Sequence, residues 1–386
     1  MAGATAKKGI VKQSRPSLLH QVRSASHKGA REGHERGYGE GYFRGRAQAL
    51  VHTLTEHAPQ RQLRIIYVSS GKGFPYSPLD EAVVSTMQAM AIDVRVSGPK
   101  DSIAVSAVEY RADLVLVLDG MDFPAEQLIE LKALAIRTAL WITDDPYYTD
   151  RMSAVAPHYD YIFTLESTAI EYYQSLGCRQ VHHLPFAAFP EHFTPRASPA
   201  PFQYDFSFIG SAYWNRVRFF EPIMDRLMKY NTHFSGLWWD RLPQYKKYKS
   251  SIKLDLWMGP KETAEFYNSS KIVINMHRDF DDPTVNQNSQ QIRATSPNPR
   301  TFEINGCGAL QLTDARSDLA SFYVPGVELV TYETPTDLLE KAVYYLTHDE
   351  ERREIALRGL ARTLKDHSYV KRLQQLLGII FDRQTE

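Results

Sequence analysis

DLVLVLD, residues 113–119, decides the fold class: five consecutive apolar residues stand between two aspartates. The run has the length of a strand rather than a helix, and a strand apolar on every residue must be covered on both faces. Outward from it, RIIYVSS (64–70) and DVRVS (93–97) precede, and TALWITD (138–144), YIFTLE (161–166) and VHHLPF (181–186) follow. They recur at intervals of roughly 20 to 30 residues with helix-forming stretches between most of them, the punctuation of βαβ units. Such units build a parallel sheet through right-handed crossovers, so residues 61–186 are expected to form a Rossmann-like domain.

AAFPEHFTPRASPAPFQ (187–203) holds Pro190, Pro195, Pro199 and Pro201, which break regular structure and suit a linker. The alternation then restarts with DFSFIG (205–210), HFSGLWW (233–239), KIVINMH (271–277), ALQLTD (309–314) and ELVTYE (328–333). Residues 204–366 are therefore expected to form a second Rossmann-like domain, and 367–386 a closing helix. Open α/β sheets bind ligands beyond the carboxyl ends of their strands, so the cleft between the domains is the expected site.

Residues 1–60 read differently. In the first 50, ten Lys and Arg oppose three Glu, so the remainder of this electroneutral chain carries the compensating negative charge. Gly29, Gly33, Gly37, Gly39, Gly41 and Gly45 each weaken a helix by about 1 kcal/mol relative to alanine. A flexible basic tail is expected, able to bind a partner protein or a polyanion. The globular remainder, being acidic, has no electrostatic reason to seek nucleic acid.

With 43% hydrophobic and 23% charged residues, the composition is that of a soluble globular protein, and no apolar run of about 18 residues exists to span a membrane. The N-terminus lacks the apolar region of a secretory signal. Two cysteines, Cys178 and Cys307, give no disulfide framework, so a reducing cytoplasm fits.

The chemistry is expected at strand ends. Asn298 can cap a short helix, 299–305, that starts on Pro299 and stops at a left-handed Gly306. Its N-terminus, with Arg300 beside it, would take a diphosphate without a metal, and the Glu303 carboxylate could accept hydrogen bonds from both hydroxyls of a ribose. A surface glutamate would look the same. Asp144 and Asp145 end the apolar run TALWIT, so they should emerge at the cleft, as acceptor base or as stabiliser of an oxocarbenium-like state. Asp144 could equally cap the helix after Pro146.

Gly71, Lys72 and Gly73 follow the first strand, where a close backbone could meet acceptor or phosphate; the spacing of an ATP-binding loop is absent. His277 ends KIVINMH and Arg278 follows it, where either could touch phosphate or the leaving group or lie on the loop surface. Asp279, Asp281 and Asp282 contain an Asp-x-Asp pattern capable of holding a divalent metal, yet acidic loop clusters are common and the two-Rossmann pattern does not belong to the metal-using fold. Trp238 and Trp239, adjacent in a strand run, divide between core and surface.

A series of motifs carries a resemblance. WITDDP (141–146), YIFTLE with a tyrosine-rich helix and Gly177, HLPFAAFPEHFTP (183–195), DFSFIGSAYWNRV (205–217), VINMHR (273–278), RTFEINGCGALQLTD (300–314) and HDEERREIALRGLARTLKDHSYVKR (348–372) occur in order. Together they resemble the spore maturation protein CgeB family, the YkvP/CgeB glycosyltransferase-like proteins, over most of residues 140–372. The resemblance implies a GT-B fold, two facing Rossmann-like domains, with the first holding acceptor and the second donor. It implies transfer from a nucleotide-sugar, a UDP-sugar first among them, to a carbohydrate or glycoprotein acceptor at the spore surface, with no cofactor required. It also implies a donor grip at Glu303, ahead of Gly306-Cys307-Gly308, and places Gly210, Ser211, Asn215 and Arg216 at the donor phosphates. Two other readings stay open at this point: a sugar-nucleotide epimerase or hydrolase of the same fold, and a coat-assembly protein with a vestigial site.

Overall fold

The computed structural model describes residues 18–55, 58–196 and 203–382. The chain divides into two compact units, up to Arg46 and from Ala47 onward. In the N-terminal unit a helix begins at Leu18 and continues to Leu54, where the sequence reading expects a flexible tail. Gly29, Gly33, Gly37, Gly41 and Gly45 recur every fourth residue and fall on one stripe, with open space where each Cβ would stand. The other faces carry i,i+4 pairs, Lys28 with Glu32, Arg31 with Glu35 and Arg44 with Glu40, each adding a few tenths of a kcal/mol. Residues 1–17 of the expected tail, and Pro199 and Pro201 of the expected linker, lie outside the described residues.

The larger unit holds two parallel sheets. The first contains β1 (Arg64–Val68), β2 (Asp93–Ser97), β3 (Leu114–Leu118), β4 (Thr138–Trp141), β5 (Tyr161–Thr164) and β6 (Gln180–His183), ordered β2-β1-β3-β4-β5-β6. The second contains β7 (Tyr204–Ile209), β8 (Thr232–Gly236), β9 (Ile252–Leu254), β10 (Ser270–Asn275), β11 (Leu310–Asp314) and β12 (Val330–Tyr332), ordered β12-β11-β10-β7-β8-β9. Every pairing is parallel. The DLVLVLD run becomes β3, buried at every position, with helices covering both faces of its sheet. Strand β9 escapes the sequence reading because three residues at a sheet edge, one of them an exposed lysine, carry no periodic signal.

Strand order reverses between β1 and β3 in one sheet and between β7 and β10 in the other, and at such switch points the loops part to leave a crevice. A helix beyond the second sheet also ties the two domains together. Helix Tyr369–Leu377 leaves the second domain and packs Tyr369, Leu373, Leu376 and Leu377 into the first domain's core beside Ile65, Tyr67 and Met87. Arg372 secures the crossing by donating Nε–H to the Pro185 carbonyl at 2.8 Å.

Candidate active site

Between the two sheets lies a cavity of about 370 Å³, lined by both domains and reaching Asp144, Arg216, Arg278, Arg300 and Glu303. On the second domain its floor is helix Pro299–Gly306. Asn298 caps it, its side-chain oxygen accepting from the Thr301 N–H at 3.1 Å. This narrows the expected anion site: Pro299 has no N–H and Asn298 already occupies that of Thr301, so among the described residues Arg300 supplies the open first-turn N–H. The helix also runs one residue past the expected stop. Gly306 is its last residue, packed so closely that a Cβ there would lie 3.0 Å from the Phe193 carbonyl oxygen, and the left-handed position is Gly308, at φ +68°.

Glu303 faces the cavity from this helix, and no protein group donates a hydrogen bond to its carboxylate among the described residues. Burial pushes the carboxyl up to about 7, against the pull of Arg300. A partly exposed carboxylate with all its acceptor capacity unengaged is equipped to receive ligand hydroxyls.

His277 has a different part from the one expected. Its Nδ1–H donates to Asp314 Oδ1 at 2.6 Å, and its Nε2 accepts from the Asn298 N–H at 2.9 Å. Both ring nitrogens are engaged, which fixes the neutral tautomer and ties the end of β10 to the helix cap. Burial lowers the ring's proton affinity despite Asp314, while His277 and Arg316 overcome burial at Asp314 and hold that carboxyl well below its ordinary range. His277 is thus placed to position the site and not to exchange protons.

Arg216 is also drawn inward. It bridges the β7/β10 switch point, donating Nε–H and an Nη2–H to the Met276 carbonyl and an Nη1–H to that of Ser211. Burial lowers its pKa to about 10, with Arg300 adding to the effect. The side chain contributes positive charge to the cavity wall but presents no open fork. Asn215 holds the same crossing by donating to the His277 carbonyl at 2.9 Å. The backbones of β8 and the loop after β7 converge at Gly210: a Cβ on Gly236 would lie 2.3 Å from the Gly210 carbonyl oxygen, and one on Gly210 itself 3.0 Å from Arg216 Nη1. Arg278 sits over three rings, 4.5 Å from the centre of Tyr147, 5.5 Å from Tyr148 and 4.6 Å from Tyr213, so residues of both domains share one cation.

The first domain's switch point is filled by an ion pair. Lys72 reaches Asp119 at 2.7 Å, and the Thr143 hydroxyl lies 2.7 Å from the other Asp119 oxygen. The charge of Lys72 is therefore neutralised where it was expected to meet a ligand. Gly71 (φ +72°) and Gly73 (φ +66°) make the turn possible. Asp144 faces the cleft, takes a hydrogen bond from the Tyr76 hydroxyl at 2.9 Å, and is raised by burial against the pull of Thr143 and Tyr76.

Asp145 parts company with its neighbour. Its two oxygens accept from Thr164 Oγ1 at 2.5 Å and the Tyr173 hydroxyl at 2.7 Å, and burial raises it to about 7. Though it touches the cavity lining, it is nearly fully buried, and both its oxygens are used to join β4, β5 and helix Ala169–Ser175. Asp279 and Asp282 cap loop turns, accepting from the Phe280 and Thr284 N–H groups. Sequence reasoning missed Tyr76, Asp119 and Glu166. Asp119 and Glu166 could have been found, since they end the DLVLVLD and YIFTLE runs as Asp144 ends TALWITD; Tyr76 carries no local signal.

Comparison with known proteins agrees with this architecture. Residues 216–378 match the family model described as Glycosyl transferase-like. Spore protein CgeB of Bacillus subtilis (strain 168) is 29% identical over 307 residues, spanning 78% of this chain and 94% of that protein. Among solved structures, HepE of Anabaena in complex with UDP-glucose superposes with a TM-score of 0.57 at 11% identity, covering 83% of this chain and 100% of that one. An alpha-glucosyltransferase in complex with UDP and a 13-mer DNA gives 0.58 at 12% identity with the same coverage. The resemblance read from the motifs is borne out: the chain is similar to Spore protein CgeB, its two parallel sheets have the GT-B fold, and its second domain matches the glycosyl transferase-like model.

Proposed function

We propose that this protein transfers a sugar from a nucleotide-sugar, with a UDP-sugar the first candidate, to a hydroxyl of a carbohydrate or glycoprotein acceptor. The observation that carries the reading is Glu303, an unengaged carboxylate one helical turn from the Arg300 N–H, where a ribose and a diphosphate would be held together. The neighbours solved with UDP and UDP-glucose support the choice of base. Beyond the ribose, the base would run toward Thr263, Met258 and Trp257, which line the same cavity.

In the reaction the bond from the anomeric carbon to the diphosphate breaks and one to the acceptor oxygen forms. Arg300, its N–H and the buried charge of Arg216 stabilise the departing diphosphate, so we read the transfer as metal-independent. Asp144, held by Tyr76, takes the acceptor proton or steadies the cationic sugar. The relative is named a spore protein, and on that basis we read a spore-surface component as the acceptor.

Calorimetry with nucleoside diphosphates tests the reading. The unmodified protein should bind UDP in the presence of EDTA, and Glu303→Ala should weaken binding about tenfold or more, the order expected when a charged hydrogen-bond acceptor is removed. Equal affinity in the variant, or binding that returns only when magnesium or manganese is added, overturns it.

A further inference from the structure

Between β10 and helix Pro299–Gly306 the second domain sends out residues 279–298, which contain no helix or strand. They lie along the first domain. The Gln287 N–H donates to the Tyr147 carbonyl at 2.8 Å, and the Asp150 N–H returns a bond to the Gln287 carbonyl at 3.0 Å. Asp150 accepts from both the Ser289 N–H and its hydroxyl, at 3.0 and 2.7 Å. Ile292 packs against the first domain's apolar cluster. Farther on, Glu166, buried at the end of β5, accepts from the Thr295 N–H and hydroxyl at 3.0 and 2.6 Å and from the Ser296 N–H at 3.2 Å.

Both ends of this segment enter the donor side of the cleft. It departs at His277 and Arg278, the latter stacked on Tyr147 and Tyr148 of the first domain, and returns at Asn298 and Arg300. A loop serving its own domain alone would need none of these attachments.

We propose that residues 279–298 are a strap through which the first domain positions the phosphate-binding end of the second, with Asp150 and Glu166 as positioning residues. The nucleotide grip is then formed to full strength only when the strap is docked, and nucleotide binding and domain approach become one coupled event. The inference rests on the nucleotide reading of the cleft for its ligand, but the mechanical coupling does not.

The test uses Asp150→Ala, an exposed change that removes the Ser289 attachment without touching the cavity. Hydrogen exchange on the full chain should rise in both flanking segments, 276–279 and 298–303, as well as at 286–291. UDP affinity should fall about fivefold or more, the size of an ordinary coupling between sites, and Asp150→Asn, which keeps one acceptor, should recover much of both effects. Faster exchange confined to 286–291 overturns the strap, as does UDP affinity equal to that of the unmodified protein. If the unmodified protein binds no UDP while exchange rises at both flanks, the nucleotide reading fails and the strap stands.

Discussion

Two adjacent aspartates show how much a single residue's environment decides. Asp144 keeps a face on the cleft and Asp145 is enclosed by Thr164 and Tyr173. Asp144→Asn should therefore leave the melting temperature and UDP affinity near those of the parent while turnover of an acceptor assay drops about a hundredfold, the usual weight of a positioned acid or base. Asp145→Ala should instead destabilise by about 2 kcal/mol or more, since two buried hydroxyls lose their acceptor, and denaturant unfolding reads this directly. Glu303 adds a pH dependence. Its carboxyl lies at about 7 in the folded chain against 4.5 ordinarily, so between those values the folded state holds a proton that the unfolded state has released. Stability from this group is present at the acid end and is lost as pH rises through 7. UDP affinity should change in the opposite sense, rising with pH through 7 as the carboxylate forms; Glu303→Gln should flatten both profiles, and an unchanged stability slope would contradict the assignment. At this scale the sequence exposed residue types at strand ends but not their partners. Arg216 and His277 looked like ligand contacts because nothing local reveals that Met276, Asp314 and Asn298 engage them.

Elements were legible where their signals are local. The Asn-Pro start of helix Pro299–Gly306 and the apolar runs of β1, β3, β4 and β10 could be read directly, because caps and burial on both faces leave marks in the chain itself. Strand β9 and the long helix from Leu18 were not: one owes its existence to pairing with β8, and the other forms despite glycines whose summed propensity argues against a helix. Close packing of elements is likewise tertiary information. Gly236, at φ +143°, lets β8 touch the loop after β7. Gly236→Ala should cost about 2 kcal/mol or more, combining a strained backbone with a displaced neighbour, and chemical denaturation would show a lowered midpoint with the slope retained.

For the molecule as a whole, the two-domain plan followed from alternation alone, whereas the ways in which the domains are tied did not. The crossing of Tyr369–Leu377 and the strap are contacts between segments far apart in the chain, and no window of sequence contains both partners. Removing residues 369–386 should expose the apolar face formed by Ile65, Tyr67 and Met87, and the truncated chain should melt at lower temperature and bind a hydrophobic dye. That crossing also sets an order of events during synthesis. The first domain is translated before the second, yet the side chains that complete its core, Leu373, Leu376, Leu377 and Ile380, follow the whole of the second sheet in the chain. The nascent chain must carry an unfinished apolar surface through the making of an entire second domain, the circumstance in which chains aggregate or enlist chaperones, and expression of the first domain alone should reproduce that hazard permanently.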